Sequence, residues 1–217
     1  MKKKTILLTG FAPFGGESQN PSWDAVKQLQ GFTPDDETQV QTIELPCVFH
    51  NSLELLRQAI QQWDPVLVIA VGQAGGRSAI SLEKVAINYQ DARIADNAGK
   101  QPLGEPVIAG APTAYFSSLP LKAIVQNLRQ QGIPAEISFS AGTFVCNHVF
   151  YGLMQALEHQ PQVKAGFIHI PYAPEQAARH PGSASMAISM VVKALRLAIE
   201  QSLLQQEDVL LCAGTLN

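Results

Sequence analysis

A cysteine stands at the edge of a short apolar run in the stretch SAGTFVCNH, where Cys146 is followed at once by Asn147 and His148. The stretch follows the strand-like segment AEISFS and precedes a helical pattern, so Cys146 is expected where a strand gives way to a helix. Unpaired N–H groups and the positive end of a helix dipole favour the thiolate at such a place. The pattern is typical of a nucleophilic cysteine, and a small buried hydrophobe at a strand end is the alternative interpretation.

A nucleophilic thiol needs a base, and histidine is the usual one. His148 is close in sequence, but an offset of two residues is about 200° around a helix, so the two side chains are expected to point apart. His169 ends the strand-like segment GFIHIP among apolar neighbours and is the preferred base, with a core histidine bonded to backbone as the alternative. The remaining histidines are expected at the surface: His50, His159 and His180.

A third group usually orients the histidine of such a site, and a carboxylate is a common choice. Glu83 interrupts the strand-like run AISLEKVAI. An isolated glutamate in such a run is either a solvated strand residue or a site residue. Glu54 and Asp91 are the other carboxylates to consider, and the residue pattern alone does not decide among the three.

Other chemistries find little support in the sequence. Cys47 and His50 have the spacing of a metal-ligand pair, but no second pair completes a site, so neither a metal nor a cofactor is predicted. The glycines of GQAGGR lack the spacing of nucleotide-binding loops. A net charge of −3 offers no basic surface to nucleic acid, and no apolar run approaches the roughly 20 residues of a membrane span. Three widely spaced cysteines argue against a disulfide framework and favour the cytoplasm.

The elements that must position these residues alternate between short β-like runs and longer helical patterns. This alternation predicts an α/β fold, a mostly parallel twisted sheet with helices on both faces. Its 217 residues, 46% of them apolar, suit a single domain over residues 1–217, with 206–217 as a tail. Asn20 followed by Pro21 predicts a helix start. Residues 72–118 are rich in Gly, Pro, Asn and Asp and predict a long loop or hairpin excursion.

Functional sites in such sheets lie at the carboxyl ends of the strands. That rule selects four segments, which are TGFAPFGG, GQAGGR, GTFVCNH and HIPYAP. Cys146 and His169 each lie in one of these segments, so the two are expected to meet at one edge of the sheet.

Five segments occur in order along the chain, GFAPFGG…NPSW, GQAGGRSAISLEKVAIN, DARIADNAG, AGTFVCNH and GFIHIP. Together they resemble the pyroglutamyl peptidases, a family of cytoplasmic cysteine exopeptidases, from about residue 5 to about residue 200. The resemblance implies a triad of glutamate, cysteine and histidine at Glu83, Cys146 and His169. Ala12 is a departure, because family members often have an acidic residue there, and it touches pocket or surface detail only.

The resemblance implies removal of an N-terminal pyroglutamyl residue from peptides through an acyl-thioester, by a homotetramer or dimer. A pyroglutamyl group carries no charged α-amine, so its pocket is expected to be mostly apolar with a few fixed polar groups. Phe11 and Phe14 are expected to cover the flat ring, and Gln73 offers both a donor and an acceptor. Arg93 is the candidate for contact with a carbonyl or an oxyanion. Packing in the core is the alternative for either phenylalanine.

Two other classes of function compete with this one. The first is a nucleoside- or phosphate-processing enzyme that uses FGG as an anion cradle on a similar sheet. The second is a binding or redox-sensing protein in which Cys146 is merely oxidised.

Overall fold

Strands and helices alternate along most of the chain in the computed structural model, which describes residues 3–205, 207–210, 212 and 214. The strands are β1 (Lys4–Phe11), β2 (Thr38–Leu45), β3 (Leu67–Gln73), β4 (Ile80–Glu83), β5 (Val85–Ile87), β6 (Ala114–Phe116), β7 (Ala135–Ser138) and β8 (Lys164–Ile170). The helices are α1 (Pro21–Val26), α2 (Asn51–Trp63), α3 (Leu121–Gln130), α4 (Val145–Ala156), α5 (Pro174–Ala177) and α6 (Ile188–Leu204). The remaining residues of the predicted tail, 206, 211, 213 and 215–217, lie outside this description.

Six strands form the main sheet, in the order β2-β1-β3-β8-β4-β7. Every neighbouring pair is parallel except β4 and β8, which are antiparallel. The prediction of a mostly parallel sheet in a single α/β domain is confirmed. All seven residues of β3 are buried, as expected for a strand that has a neighbour on each side and helices on each face.

Helices cover both faces of the sheet, as predicted. Apolar residues of α1, α3 and α6 pack on one face, and those of α2 and α4 pack on the other. The second face is the one that holds the predicted nucleophile, because α4 begins with the segment that contains Cys146.

The long excursion was predicted with the wrong boundaries. Residues 80–83 form β4 in the main sheet, where Leu82 pairs with Ile137 on one side and Ile168 on the other. Val85–Ile87 instead pairs with Ala114–Phe116 in a separate two-stranded sheet. The run AISLEKVAI was therefore read as one strand where there are two. The apolar residues of this run suit either sheet. The run divides after Glu83 because its two parts pair with different strands, which are distant in sequence.

The expectation that Cys146 and His169 both follow strands ending at one edge of the sheet is only partly right. Because β4 and β7 run opposite to β8, their carboxyl ends do not lie at the edge where β1, β3 and β8 end. Residues 139–144 carry the chain back from the end of β7 to the start of α4. Cys146 is thus brought to this edge by the loop after β7, and not because β7 itself ends there.

Asn20 caps α1, as predicted. Its Oδ1 accepts hydrogen bonds from the Ser22 backbone N–H at 3.1 Å and from the Ser22 hydroxyl at 2.8 Å. Its Nδ2 donates to the carbonyl of Ala12 at 3.1 Å. The buried Asn20 side chain therefore fixes both the helix start and the loop that carries Phe14.

None of the helices described is both long and apolar enough to cross a membrane.

Replacement of Asn20 by alanine is expected to lower the free energy of unfolding by about 1–2 kcal/mol, because three hydrogen bonds to a buried amide are lost. Urea denaturation measures this change. Lys27→Ala is the matched control, since it removes an exposed ion pair with Asp24 near the same helix and should cost less than about 0.5 kcal/mol. Equal costs for the two variants would contradict the assignment of Asn20 as the cap.

Candidate active site

Two buried residues on adjacent strands, Glu83 and His169, form the centre of the site. The Nδ1 atom of His169 lies 2.7 Å from Oε1 of Glu83. Antiparallel pairing sets Ser81 opposite His169 and Glu83 opposite Phe167, which puts both reactive side chains on one face of the sheet. Both belong to regular strands with little freedom to move, so their hydrogen bond is rigidly placed.

The partners of Glu83 determine the tautomer of His169. Oε1 of Glu83 also accepts a hydrogen bond from Arg77, so this oxygen is an acceptor and Nδ1 of His169 must be the donor. In the neutral ring Nε2 then carries the lone pair and can accept a proton.

Burial keeps the imidazole of His169 in its neutral form. Burial lowers its pKa, and this outweighs the hydrogen bond and charge of Glu83, which act in the opposite direction. The positive charge of Arg77 lowers the pKa further. His169 is therefore a base at neutral pH.

The thiol of Cys146 lies in the first turn of α4, directly over Gly72 of β3. A Cβ atom at Gly72 would approach Sγ to 2.9 Å and the ring of Phe167 to 2.8 Å, so only glycine allows this contact. Gly72 pairs in register with His169. The thiol thus lies over a strand position whose neighbour, about 4.8 Å away, carries the base. No hydrogen bond between Cys146 and His169 is present among the described contacts.

The protonation state of Cys146 differs from the sequence-based expectation. Burial raises the pKa of the thiol, and the nearby Cys47 and Glu83 raise it further, while Arg77 lowers it. The expected lowering by the helix N-terminus is overcome because the helix dipole contributes at most about 2 kcal/mol. The half-buried thiol packs against the apolar core, and the desolvation that results can outweigh the dipole, since one pKa unit equals only about 1.4 kcal/mol. The resting site therefore pairs a neutral thiol with a neutral imidazole.

His148 belongs to a separate buried network. Its Nδ1 lies 3.0 Å from Oε1 of Gln90, and its Nε2 accepts a hydrogen bond from the backbone N–H of His50 at 3.1 Å. Burial lowers the pKa of His148 to about 3. Neither ring nitrogen has a described bond to Cys146, in agreement with the expectation from helical geometry, and the ring links α4 to the loop that contains Gln90.

The other two candidate carboxylates lie elsewhere. Glu54 is exposed on α2, and Asp91 is exposed in the loop after β5. The backbone of Asp91 bonds to Thr143. Neither carboxylate contacts His169 in the described part of the chain.

Arg77 joins the site, and sequence analysis did not single it out. Its Nη1 donates to Oε1 of Glu83 at 2.8 Å, and its Nη2 donates to the carbonyl of Ser140 at 2.9 Å. A signal was present, because Arg77 is the one cation in GQAGGR, a segment already expected beside the site. Its partners could not be recognised, because they depend on how β4 and the loop before α4 are arranged.

The predicted pocket residues occupy different environments. Phe11 is buried with its ring 6.3 Å from that of Phe167, whereas Phe14 is half-buried with its ring 6.2 Å from that of Phe144, the residue before α4. The two phenylalanines therefore flank the start of α4 and the strand that carries His169.

The two polar pocket candidates also differ. Gln73 follows Gly72 and is nearly buried, and its Oε1 accepts a hydrogen bond from Nε2 of Gln176 at 3.1 Å. Arg93 is exposed, and its side chain forms no hydrogen bond or ion pair with the described residues. Gln73 is thus held at the end of β3 by Gln176, with its side chain on the face opposite to that of Gly72, whereas no described contact holds Arg93.

Comparison with known proteins identifies close relatives. A family model described as "Pyroglutamyl peptidase" matches residues 4–205. The pyrrolidone-carboxylate peptidase of Pectobacterium carotovorum is 56% identical over 99% of this chain and 100% of its own length. That of Bacillus mycoides is 50% identical over 97% of this chain and 98% of its own.

Solved structures give the same result. The crystal structure of pyroglutamyl peptidase I from Bacillus amyloliquefaciens matches with a TM-score of 0.91 at 47% identity, and covers 95% of this chain and 100% of that one. A mutant pyrrolidone carboxyl peptidase from Pyrococcus furiosus matches with a TM-score of 0.88 at 43% identity, and covers 93% and 99%.

The raised pKa of Cys146 can be measured by alkylation. The pKa lies above the ordinary thiol value of about 8.5, so little thiolate is present at neutral pH and the rate should still be rising above pH 8.5. Iodoacetamide labelling of the peptide that contains Cys146, followed by mass spectrometry from pH 6 to 10, gives the profile, with glutathione as the reference thiol. A rate that is already maximal at pH 6 would contradict the assigned resting state.

Proposed function

This chain belongs to the pyroglutamyl peptidase family of cysteine peptidases, and from that membership we infer that it hydrolyses the bond after an N-terminal pyroglutamyl residue. We propose that Cys146 is the nucleophile, His169 the proton carrier and Glu83 the residue that orients His169. The observation that supports these roles most strongly is the 2.7 Å contact between buried Glu83 and His169, with the thiol over the adjacent strand position.

Acylation begins with attack of Sγ on the pyroglutamyl carbonyl carbon. The thiol proton moves to Nε2 of His169, because Nδ1 is engaged by Glu83. Since both groups are neutral at rest, this transfer accompanies the attack. The imidazolium then protonates the leaving amine, the carbon–nitrogen bond breaks, and an acyl-thioester remains on Cys146.

Deacylation uses the same three side chains. His169 is neutral again and accepts a proton from water as the water oxygen attacks the thioester carbonyl. The carbon–sulfur bond breaks, the proton returns to sulfur, and pyroglutamate leaves. Glu83 keeps the imidazole ring of His169 in one orientation through acylation and deacylation, and its negative charge stabilises the imidazolium in each.

The start of α4 supplies donors for the developing oxyanion. The first backbone bond from this helix is from His148 N–H to the carbonyl of Phe144. The N–H groups of residues 145–147 precede it and have no acceptor within the helix. We propose that they stabilise the negative oxygen of the tetrahedral intermediate, since they surround the thiol itself.

The proposed substrate is a peptide whose first residue is a neutral lactam. Phe14 is half-buried near the thiol and suits contact with the flat ring, and Phe11 supports that surface from the core. Gln73 is held by Gln176 and is proposed to bond with the lactam. Arg93 keeps its proposed carbonyl contact on the strength of the family resemblance alone.

We further propose a cytoplasmic homo-oligomer, a dimer or tetramer, that uses no metal or cofactor and has no nucleic-acid or membrane partner. Residues 1–217 would act as one domain with 206–217 as a tail. The competing classes, a nucleoside- or phosphate-processing enzyme and a redox-sensing protein, lose their support because the family is one of peptidases.

Each proposed catalytic side chain can be tested by substitution. Cys146→Ala, His169→Ala and Glu83→Gln should each lower kcat for a fluorogenic pyroglutamyl amide at least about 1,000-fold, because the three act as a unit. Cys212→Ala is the matched control, since this cysteine is exposed, and it should keep the activity of the wild type. A wild type without turnover under reducing conditions, or an active Cys146→Ala variant, would refute the proposal.

A further inference from the structure

Arg77 bridges Glu83 and the loop that precedes α4. Among the described contacts, no other side chain bonds to both. One nitrogen of its guanidinium bonds to the carboxylate of Glu83, and another bonds to the carbonyl of Ser140. Ser140 belongs to the loop that returns from β7 to α4, the helix whose second residue is Cys146. A single planar group therefore joins the acid of the site to the segment that carries the thiol.

The need for such a link follows from the sheet topology. The loop 139–144 must bring the chain back against the direction of β7, and residues 140, 142, 143 and 144 are not fully buried. The loop lacks the regular hydrogen bonding that holds Glu83 and His169 on their strands. A rigid two-point contact from Arg77 compensates for this, because the guanidinium presents its donors in a fixed geometry.

The buried charge of Glu83 is a second reason why the site needs the guanidinium of Arg77. The side chain is fully buried, and Oε1 takes both the Arg77 and the His169 contacts, whereas Oε2 has no described partner. A buried negative charge is costly to stability unless a positive charge pairs with it. Arg77 provides a permanent one, so Glu83 does not require a protonated His169.

We propose that Arg77 is a positioning residue of this active site, whose guanidinium holds the Glu83 carboxylate and the loop before Cys146 in one arrangement and leaves His169 free as a base. The inference rests on the proposed function, since it assigns Arg77 a part in the same reaction.

The groups that face His169 determine how its titration responds. Glu83 approaches from β4 and Arg77 from the loop after β3. Cys146 lies over the neighbouring strand position, with Cys47 close to the thiol. Glu83 raises the pKa of His169 and Arg77 lowers it. Loss of Arg77 removes one of the two effects that oppose Glu83, while burial remains, so the pKa of His169 rises. The neutral base is then lost at a higher pH, and the acidic limb of the rate profile moves upward.

The experiment compares Arg77→Met and Arg77→Lys with the wild type by pH profiles of kcat and KM for a pyroglutamyl amide. Arg77→Met should lower kcat roughly 10- to 100-fold with a smaller change in KM, because the reacting groups are misplaced. Its acidic limb should move to higher pH. Arg77→Lys keeps the positive charge but not both contacts. The acidic limb of its pH profile should therefore stay near that of the wild type, while its kcat should fall by less than that of Arg77→Met.

Arg57→Met is the matched control, because it removes a guanidinium whose contact is with Gln155, away from the thiol. It should keep the profile of the wild type. NMR titration of the His169 ring gives the pKa without turnover, and thermal melting tests whether each variant is folded.

The inference is overturned if Arg77→Met keeps the kcat and the acidic limb of the wild type. It is also overturned if kcat and thermal stability fall together while the pKa of His169 is unchanged, since that is a purely structural effect. If Arg77→Met does not fold, an Arg77→Lys variant with full kcat overturns it. An inactive wild type would instead refute the proposed function.

Discussion

The buried carboxylate of Glu83 needs hydrogen-bond donors and a positive charge beside it, and much of the structure around the candidate site provides them. Glu83 is completely enclosed, and an unpaired charge there would be costly to stability. Its Oε1 is met by the ring of His169 and the guanidinium of Arg77. These two contacts fix the tautomer of the histidine and, with it, the nitrogen that can accept a proton.

The rest of the site is arranged around that contact. Reversal of β4 relative to β8 brings Glu83 and His169 to one face of the sheet, and the same reversal obliges the loop after β7 to return before α4 can begin. Gly72 then admits the thiol of Cys146 against the sheet beside His169. Burial lowers the pKa of His169, and desolvation raises the pKa of the half-buried Cys146 thiol, so the proposed reaction depends on proton transfer during attack rather than on a preformed ion pair.

Local patterns were sufficient to predict β1, β2, β3, β7 and β8, every helix except α5, the cap at Asn20 and the absence of a described bond between His148 and Cys146. They favoured Cys146 and His169 from their places at element ends. They did not choose Glu83 over Glu54 and Asp91, and only the family resemblance did so. Residue order carries no information on which strand lies beside which, so the split of residues 80–87 between two sheets escaped prediction. The contacts of Arg77 did so too, and the direction in which the thiol pKa moves depends on groups that surround Cys146 only in the folded chain.

The central claim is that Cys146 carries the acyl group, and rapid acid quenching tests it most directly. The enzyme is mixed with an activated pyroglutamyl ester, so that acylation outpaces hydrolysis, and is then quenched and digested for mass spectrometry. We expect one pyroglutamyl group in thioester linkage on the peptide that contains Cys146, released by hydroxylamine. Turnover with that peptide unmodified and the group on another residue would contradict it.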